Sequence, residues 1–441
     1  MSHVYIAFDP ADVDQLFQLH EAFRKANVPD RFRSADADTP LPKIDDMEAL
    51  ADASAVAFLA SSKSLASKGV KKEIELAHKL RKPLLTLFLD NEKPKSDWAS
   101  LLTSSQEFDL VSSPEASLRD LASAAREIYE RRCPVVSVMN LKGGVGKTTI
   151  TSQVFGYLQK ARRNKVLLID FDPQFNLSQF FLTRDETDER TSRDLSVLTM
   201  FEPSLVTSTV HSSPALDWTV FNDGIFTPAE AGQIARRLIP REDLSGSLDI
   251  ISGQFELTKY AFLDDQEALK TAESNLQQSI DKYRKDYDLI VIDTNPSASF
   301  LTQVTLGVTD HILAPVRPNE FSLRGLRLLE MLLHRFCAPG DRPDVSVLFN
   351  GVPKSQQNQF EQDARDGAFD DDVAFALSEK LMTSTLYESA YLDIKADTAH
   401  DKPVTRLAAY SARGPFASDL RRRLAMISNE LMDRLVADEV N

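Results

Sequence analysis

The chain has 441 residues, 42% of them hydrophobic and 27% charged, and carries a net charge of −15 at neutral pH. That length allows two or three domains, the composition argues against disorder, and the acidity argues against a protein whose main role is coating nucleic acid, since phosphate binding wants clustered Lys and Arg. Cys133 and Cys337 are too few for a disulfide framework or a zinc site. No apolar run reaches the ~20 residues of a membrane span and no basic stretch precedes an apolar segment at the N-terminus, so a cytoplasmic protein without a membrane partner is expected.

Strand-like and helix-like runs alternate along the chain, the signature of parallel sheets covered by helices. Residues 4–8 predict a buried strand, and 12–26 follow as a helix with Val13, Leu16, Phe17, Leu19 and Phe23 near helical spacing. Apolar strands are expected over 55–60 and 84–89. A helix over 65–80 lies between them, closed by Pro83, and an amphipathic helix over 116–131 ends the series. These elements make one domain over 1–132, a small doubly wound sheet of flavodoxin-like arrangement. A second series starts at Pro134, with buried strands expected over 135–139, 166–169, 248–251, 289–292, 312–316 and 345–349, and makes a second domain over 133–441. The expected fold class is α/β, two doubly wound parallel-sheet domains. The charged stretches 183–194 and 361–372 read as solvated loops.

Between the strand at 135–139 and a helix expected over 150–160 stand Lys142, Gly143, Gly144, Val145, Gly146, Lys147, Thr148 and Thr149. Strand, glycine-rich turn and helix are the context that a phosphate-binding loop requires. The glycines let successive backbone N–H groups turn inward, and the helix start adds partial positive charge. Lys147 is then expected to reach the β and γ phosphates of a nucleotide, and Thr148 to offer a hydroxyl to magnesium. Leu141 stands where the plain pattern has its first glycine. Two apolar strands end in carboxylates, one at Asp170 with Asp172 beyond it, the other at Asp293. Like charges so close need a cation or a proton, and magnesium beside phosphates supplies one.

From about Pro134 to Leu435 these residues resemble the ParA/MinD family of deviant Walker ATPases. The resemblance implies ATP and Mg2+ as cofactors, and an ATP-dependent homodimer in which Lys142 crosses to the partner's nucleotide. It implies that Lys147 and Thr148 serve phosphate and magnesium, that Asp172 positions the attacking water with Asp170 as its metal-side neighbour, and that Asp293 is the Walker B aspartate. Pro315, Arg317 and Pro318 resemble the segment that lines the base, and Asn350 resembles an adenine-reading residue. Asn295 stands where the family has proline, in the segment that responds to the γ-phosphate, so slow hydrolysis is expected. The family often binds DNA non-specifically through basic residues near the C-terminus, here Arg406, Arg413, Arg421, Arg422 and Arg423. The plain alternative is a solvated helix face with Leu420, Leu424 and Ile427 turned inward.

The first domain is similar to a TIR (Toll/interleukin-1 receptor) domain over 4–9, 55–62 and 64–77. Such domains are protein-interaction modules in some proteins and NAD-cleaving enzymes in others. In the enzymatic members a glutamate on the last of these segments engages the ribose, and Glu73 is the matching position, which implies NAD as a substrate. Gly69 and Val70 stand where the pattern has Trp and a small residue or Cys. Phe32, Asp36 and Asp38 lie in the loop that flanks the pocket. Among Lys71, Lys72 and Glu75, Glu73 also reads as one member of an exposed helical charge cluster.

The leading expectation is an ATP-dependent dimerising switch that brings two TIR-like domains together, with antiphage immunity as output through NAD depletion or recruitment of an effector. The alternative is a partition or positioning ATPase that binds DNA non-specifically and uses the TIR-like domain as an adaptor to a protein partner encoded nearby. A third expectation is a slow regulatory subunit of a neighbouring gene product.

Overall fold

Short, largely apolar runs, buried along their whole length, form the central strands of two sheets, as parallel sheets covered on both faces require. A computed structural model describes residues 3–32, 44–80, 82–92, 96–102, 105–130, 133–162, 164–203, 221–240, 246–318, 320–338, 340–353, 380–389 and 415–437, with isolated residues between these segments. The chain divides into two compact units, and the division falls between Arg132 and Cys133.

In the first unit β1 (Val4–Ala7), β2 (Asp30–Phe32), β3 (Ala55–Ala60), β4 (Leu84–Phe88) and β5 (Gln106–Asp109) form one sheet of order β2-β1-β3-β4-β5. Every pairing in it is parallel. This is the doubly wound order expected for a flavodoxin-like sheet. Alternation along the strands divides the core in two. Val4, Ile6, Ala55, Ala57, Leu59, Leu85 and Leu87 face Leu16, Leu19 and Phe23 of the helix Val13–Lys25 and Leu121 and Ala125 of the helix Pro114–Glu130. Tyr5, Ala7, Val56, Phe58 and Ala60 face Val70, Ile74 and Ala77 of the helix Lys68–Lys79, with Trp98 stacked on Phe58.

The second unit holds an eight-stranded sheet: β6 (Val135–Val138), β7 (Lys165–Asp170), β8 (Arg236–Ile239), β9 (Ser247–Ile251), β10 (Leu289–Asp293), β11 (His311–Val316), β12 (Asp344–Val352) and β13 (Leu386–Tyr387). Their order is β13-β12-β11-β6-β10-β7-β9-β8. All pairings are parallel except β8 with β9, so the expected all-parallel sheet ends in one antiparallel edge strand. Arg237 ties that edge down through two hydrogen bonds of 2.8 and 3.0 Å to the buried carboxylate of Asp249. On one face the helix Pro415–Ala437 presents Leu420, Leu424, Ile427, Leu431 and Leu435, all buried, so the inward residues expected of this helix do turn inward. On the other face lie the helices Gln266–Tyr283, Phe300–Val308 and Glu320–Phe336.

Two expectations need correction. The stretch expected as a loop over 183–194 contains the helix Arg184–Ser192, held by a capping box between Thr183 and Glu186 rather than by an apolar face. The helix after the glycine-rich loop begins at Lys147, three residues earlier than expected, and passes through a π-helical turn at Thr151–Phe155 before continuing as Gly156–Arg162. The stretch 361–372 lies almost wholly outside the described residues.

Candidate functional site

β6 is flanked by β11 and β10, and the glycine-rich loop leaves its C-terminal end, where doubly wound sheets open their ligand crevice. Gly144 and Gly146 take left-handed backbone angles of φ +75° and +91°, which L side chains resist. Gly146 also needs its missing side chain, because a Cβ there would sit 2.2 Å from Asn350 Nδ2. That amide donates to the Val145 carbonyl at 2.8 Å. Asn350, expected at the base, thus braces the phosphate loop with one of its two amide protons. A second brace was not legible in the motif. Asn140 Nδ2 donates to the Pro315 carbonyl at 2.9 Å, and Asn140 Oδ1 accepts from the Lys142 amide at 2.9 Å. Gly325 admits this asparagine, since a Cβ there would approach Oδ1 to 2.1 Å. The need for a small residue at 325 is a packing fact between elements far apart in the chain, with no local pattern to announce it.

Lys147 is buried and lies back across its own loop, its ammonium donating to the carbonyls of Asn140 at 3.1 Å and Lys142 at 3.4 Å. Burial lowers its pKa, opposed by the charges of Asp293 and Asp172. The Thr148 hydroxyl donates to Asp293 Oδ2 at 2.8 Å and the Thr151 hydroxyl to Asp293 Oδ1 at 2.8 Å. Asp293 has no exposed surface, and burial pushes its pKa up to about 6 against the pull of both hydroxyls and Lys147. A hydroxyl and a carboxylate side by side at the start of a phosphate-loop helix are hard oxygen donors that suit magnesium completed by phosphate and water. Bound there, magnesium supplies the charge that lets a buried carboxylate ionise and the phosphates gather.

Asp170, expected on the metal side, is held by the segment that follows it. Ser178 donates to its Oδ2 through the backbone N–H at 2.8 Å and the hydroxyl at 2.7 Å, and the Asp172 amide donates to Oδ1 at 3.2 Å. With both oxygens engaged within the chain, Asp170 anchors the helix Asn176–Phe181, while Asp293 and Thr148 stand together at the loop. Burial, then the charge of Asp293, pushes its pKa up to about 8. Asp172 is carried off the strand by a turn, so it does not share a strand face with Asp170. Its carboxylate accepts the Gln174 amide at 2.9 Å, and its carbonyl accepts the Phe175 amide at 2.7 Å. Phe175 itself sits at φ +43°, an unusual backbone for so bulky a residue.

Lys142, Gly143 and Gly144 are exposed at the loop's tip, and Thr149 is half-buried. Pro315 is buried in β11, Arg317 is exposed and 3.8 Å from the Glu388 carboxylate, and Pro318 is half-buried. Arg421, Arg422 and Arg423 lie on the helix Pro415–Ala437, with Arg422 paired to Asp419 at 3.0 Å. Arg406 and Arg413, like Asp36 and Asp38, lie outside the described residues. Phe32 sits on β2, edge-on to Phe8 and His20. Glu73 is no member of an exposed charge cluster. Lys72 and Glu75 point outward, but Glu73 is wholly buried, and Oε1 accepts the Tyr5 hydroxyl at 2.8 Å. No group of three or more metal-ligating side chains occurs among the described residues, and no described helix is long and apolar enough to cross a membrane.

Residues 133–338 match the family model of an AAA domain. The chromosome partitioning protein ParA of Caulobacter vibrioides is 32% identical over 202 residues, 46% of this chain and 62% of the relative. The chromosome-partitioning ATPase Soj of Treponema pallidum is 29% identical over 198 residues, 45% of this chain and 62% of the relative. The chain thus spans less than two thirds of either relative. The solved structure of pNOB8 ParA superposes with a TM-score of 0.50 at 20% identity, covering 69% of this chain and 99% of that one, a likeness of fold. The loop, its carboxylates and these matches agree: residues 133–338 have the parallel-sheet P-loop fold and match an AAA domain, and they are similar to the ParA-type partitioning ATPases.

Proposed function

We propose that this chain is a partition-type ATPase. It binds Mg-ATP at the phosphate loop, pairs with a second copy when loaded, and hydrolyses slowly as a timer for release. The observation that carries this is the buried Asp293 bridged to Thr148 at the head of a loop whose glycines are conformationally required. Exposed Lys142 at the loop's tip supports the expected reach to a partner's nucleotide. Lys147 has donors that face carbonyls of its own loop, and exchanging those for phosphate oxygens orders the loop around the ligand. Asp172, in a turn fixed by Gln174 and Phe175, is the carboxylate proposed to orient the attacking water. The names of the Caulobacter and Treponema relatives favour partition or positioning of DNA over an immunity switch.

Calorimetric titration with ATP and magnesium tests the assignment. Removing the charged contacts of Lys147 in Lys147→Ala is expected to weaken affinity roughly ten- to a hundredfold. Asp172→Ala is expected to bind and pair normally while turnover stops. Unchanged affinity in the first variant, or undiminished turnover in the second, would refute the respective role.

For the first unit we propose a TIR-like adaptor that binds a protein partner. The full burial of Glu73 supports this over cleavage of NAD. NAD incubated with the protein, ATP and magnesium is expected to remain intact. Its loss in the native protein but not in Glu73→Ala would restore the enzymatic alternative.

A further inference from the structure

The helix that opens at Lys147 is not regular, for at Thr151–Phe155 it widens into a π-helical turn. Such turns are rare and recur where a side chain must be aimed at a functional group. Thr151 is the first residue of this one, fully buried and one turn beyond Lys147. Its hydroxyl stands 2.8 Å from Asp293 Oδ1 and 3.0 Å from the Lys147 carbonyl. A threonine hydroxyl has one proton, and an ionised carboxylate draws it more strongly than a neutral carbonyl does. Asp293 is therefore held at both oxygens by two hydroxyls of one helix, Thr148 on Oδ2 and Thr151 on Oδ1.

The two hydroxyls differ in what they are free to do. Thr148 is half-buried at the loop and is the group proposed for magnesium, so its contact with Oδ2 is the one a bound cation would share. Thr151 lies deeper, with no exposed surface. We infer that Thr151 is a positioning residue for Mg-ATP: by holding Oδ1 it fixes the rotation of the Asp293 carboxylate and keeps Oδ2 turned toward Thr148. The inference rests on the ATP assignment proposed above and extends it to a residue outside the K-G-G-V-G-K-T-T run.

The test measures the affinity of a non-hydrolysable ATP analogue with magnesium and with EDTA, in the full chain and in Thr151→Val, Thr151→Ala and Thr151→Ser. Without its hydroxyl the valine variant is expected to lose about tenfold of the magnesium-dependent gain, the scale of one charge-assisted hydrogen bond. Affinity in EDTA should stay within about twofold, because the phosphate loop itself is untouched. Alanine gives the same split should valine prevent folding, and serine, which keeps the hydroxyl, is expected to restore the gain. A full magnesium gain in the valine or alanine variant overturns the inference, as does a serine variant as impaired as valine, which would mark a packing role. Absence of nucleotide binding in the native chain, with or without magnesium, instead overturns the ATP assignment and this inference with it.

Discussion

Asp170 and Asp293 illustrate how one residue type serves two ends within one strand layer. Both lie at the C-terminal ends of neighbouring parallel strands, and residues 170 and 293 are directly paired in register. Burial above all, then the charge of Asp293 on Asp170 and, to a smaller extent, that of Asp172 on Asp293, pushes their pKa values from an ordinary 3.8 to about 8 and about 6. In the folded, metal-free chain they therefore keep protons over a range where an unfolded chain has lost them. Stability from this source is complete below the unfolded value and is lost as pH rises, through about 6 for Asp293 and about 8 for Asp170. Melting in EDTA is expected to drop by several degrees between about pH 5 and about pH 8.5. In Asp170→Asn the upper part of that decline should flatten, because the amide has no proton to lose. Excess magnesium should flatten the lower part, because a cation beside Asp293 favours its ionised form. A melting temperature that climbs with pH across this range would contradict the assigned burial.

At the scale of elements, the chain shows why some were legible and others were not. The central strands β3, β7 and β10 are continuous apolar runs, and Asp170 and Asp293 close two of them, so both the sheet and the position of its carboxylates could be read directly. The edge strands β2, β5 and β8 are three or four residues long and largely polar or exposed, and nothing in such a run separates it from loop. The helix Arg184–Ser192 was hidden for a different reason. Of its residues only Thr187 is buried, so it has no apolar stripe, and it is held by polar contacts, both local and to the carbonyl of Ile234 and the side chain of Arg236. Thr183 accepts the Glu186 amide, Glu186 accepts the Thr183 amide, and Glu189 pairs with Arg193 at 2.9 Å. Thr183→Ala removes half of the capping box and is expected to cost about 1 kcal/mol. In hydrogen exchange, amides of this helix should lose protection while those of β7 and β10 keep theirs. Equal loss in both would show that the helix unfolds only with the sheet.

The whole molecule carries a net charge of −15, which sets a limit on how it can meet DNA. Repulsion from the phosphate backbone confines any contact to a local basic surface, and Arg421, Arg422 and Arg423 are the described candidates. Consecutive residues on a helix point about 100° apart, so the three fan out and meet different phosphates rather than one. The inward row of Leu420, Leu424 and Ile427 fixes which of them look outward. Arg422 is exposed, while Arg421 and Arg423 are half-buried, and Arg422 must release Asp419 to reach a phosphate. A footprint of two or three phosphates per protomer follows. Counterion release then gives a slope of about −2 to −3 in log affinity against log salt for one protomer, and about twice that for an ATP-paired dimer. Binding of a random-sequence duplex, measured with the ATP analogue from low to physiological salt, is expected to show that shallow dependence. Arg422→Ala should lower the magnitude by about one for each protomer. A slope well beyond about −6, or one that Arg422→Ala leaves unchanged, would place the DNA on another surface. On the proposed partition reading, so small a patch on so acidic a chain gives a weak grip with a shallow salt slope, which is readily reversed.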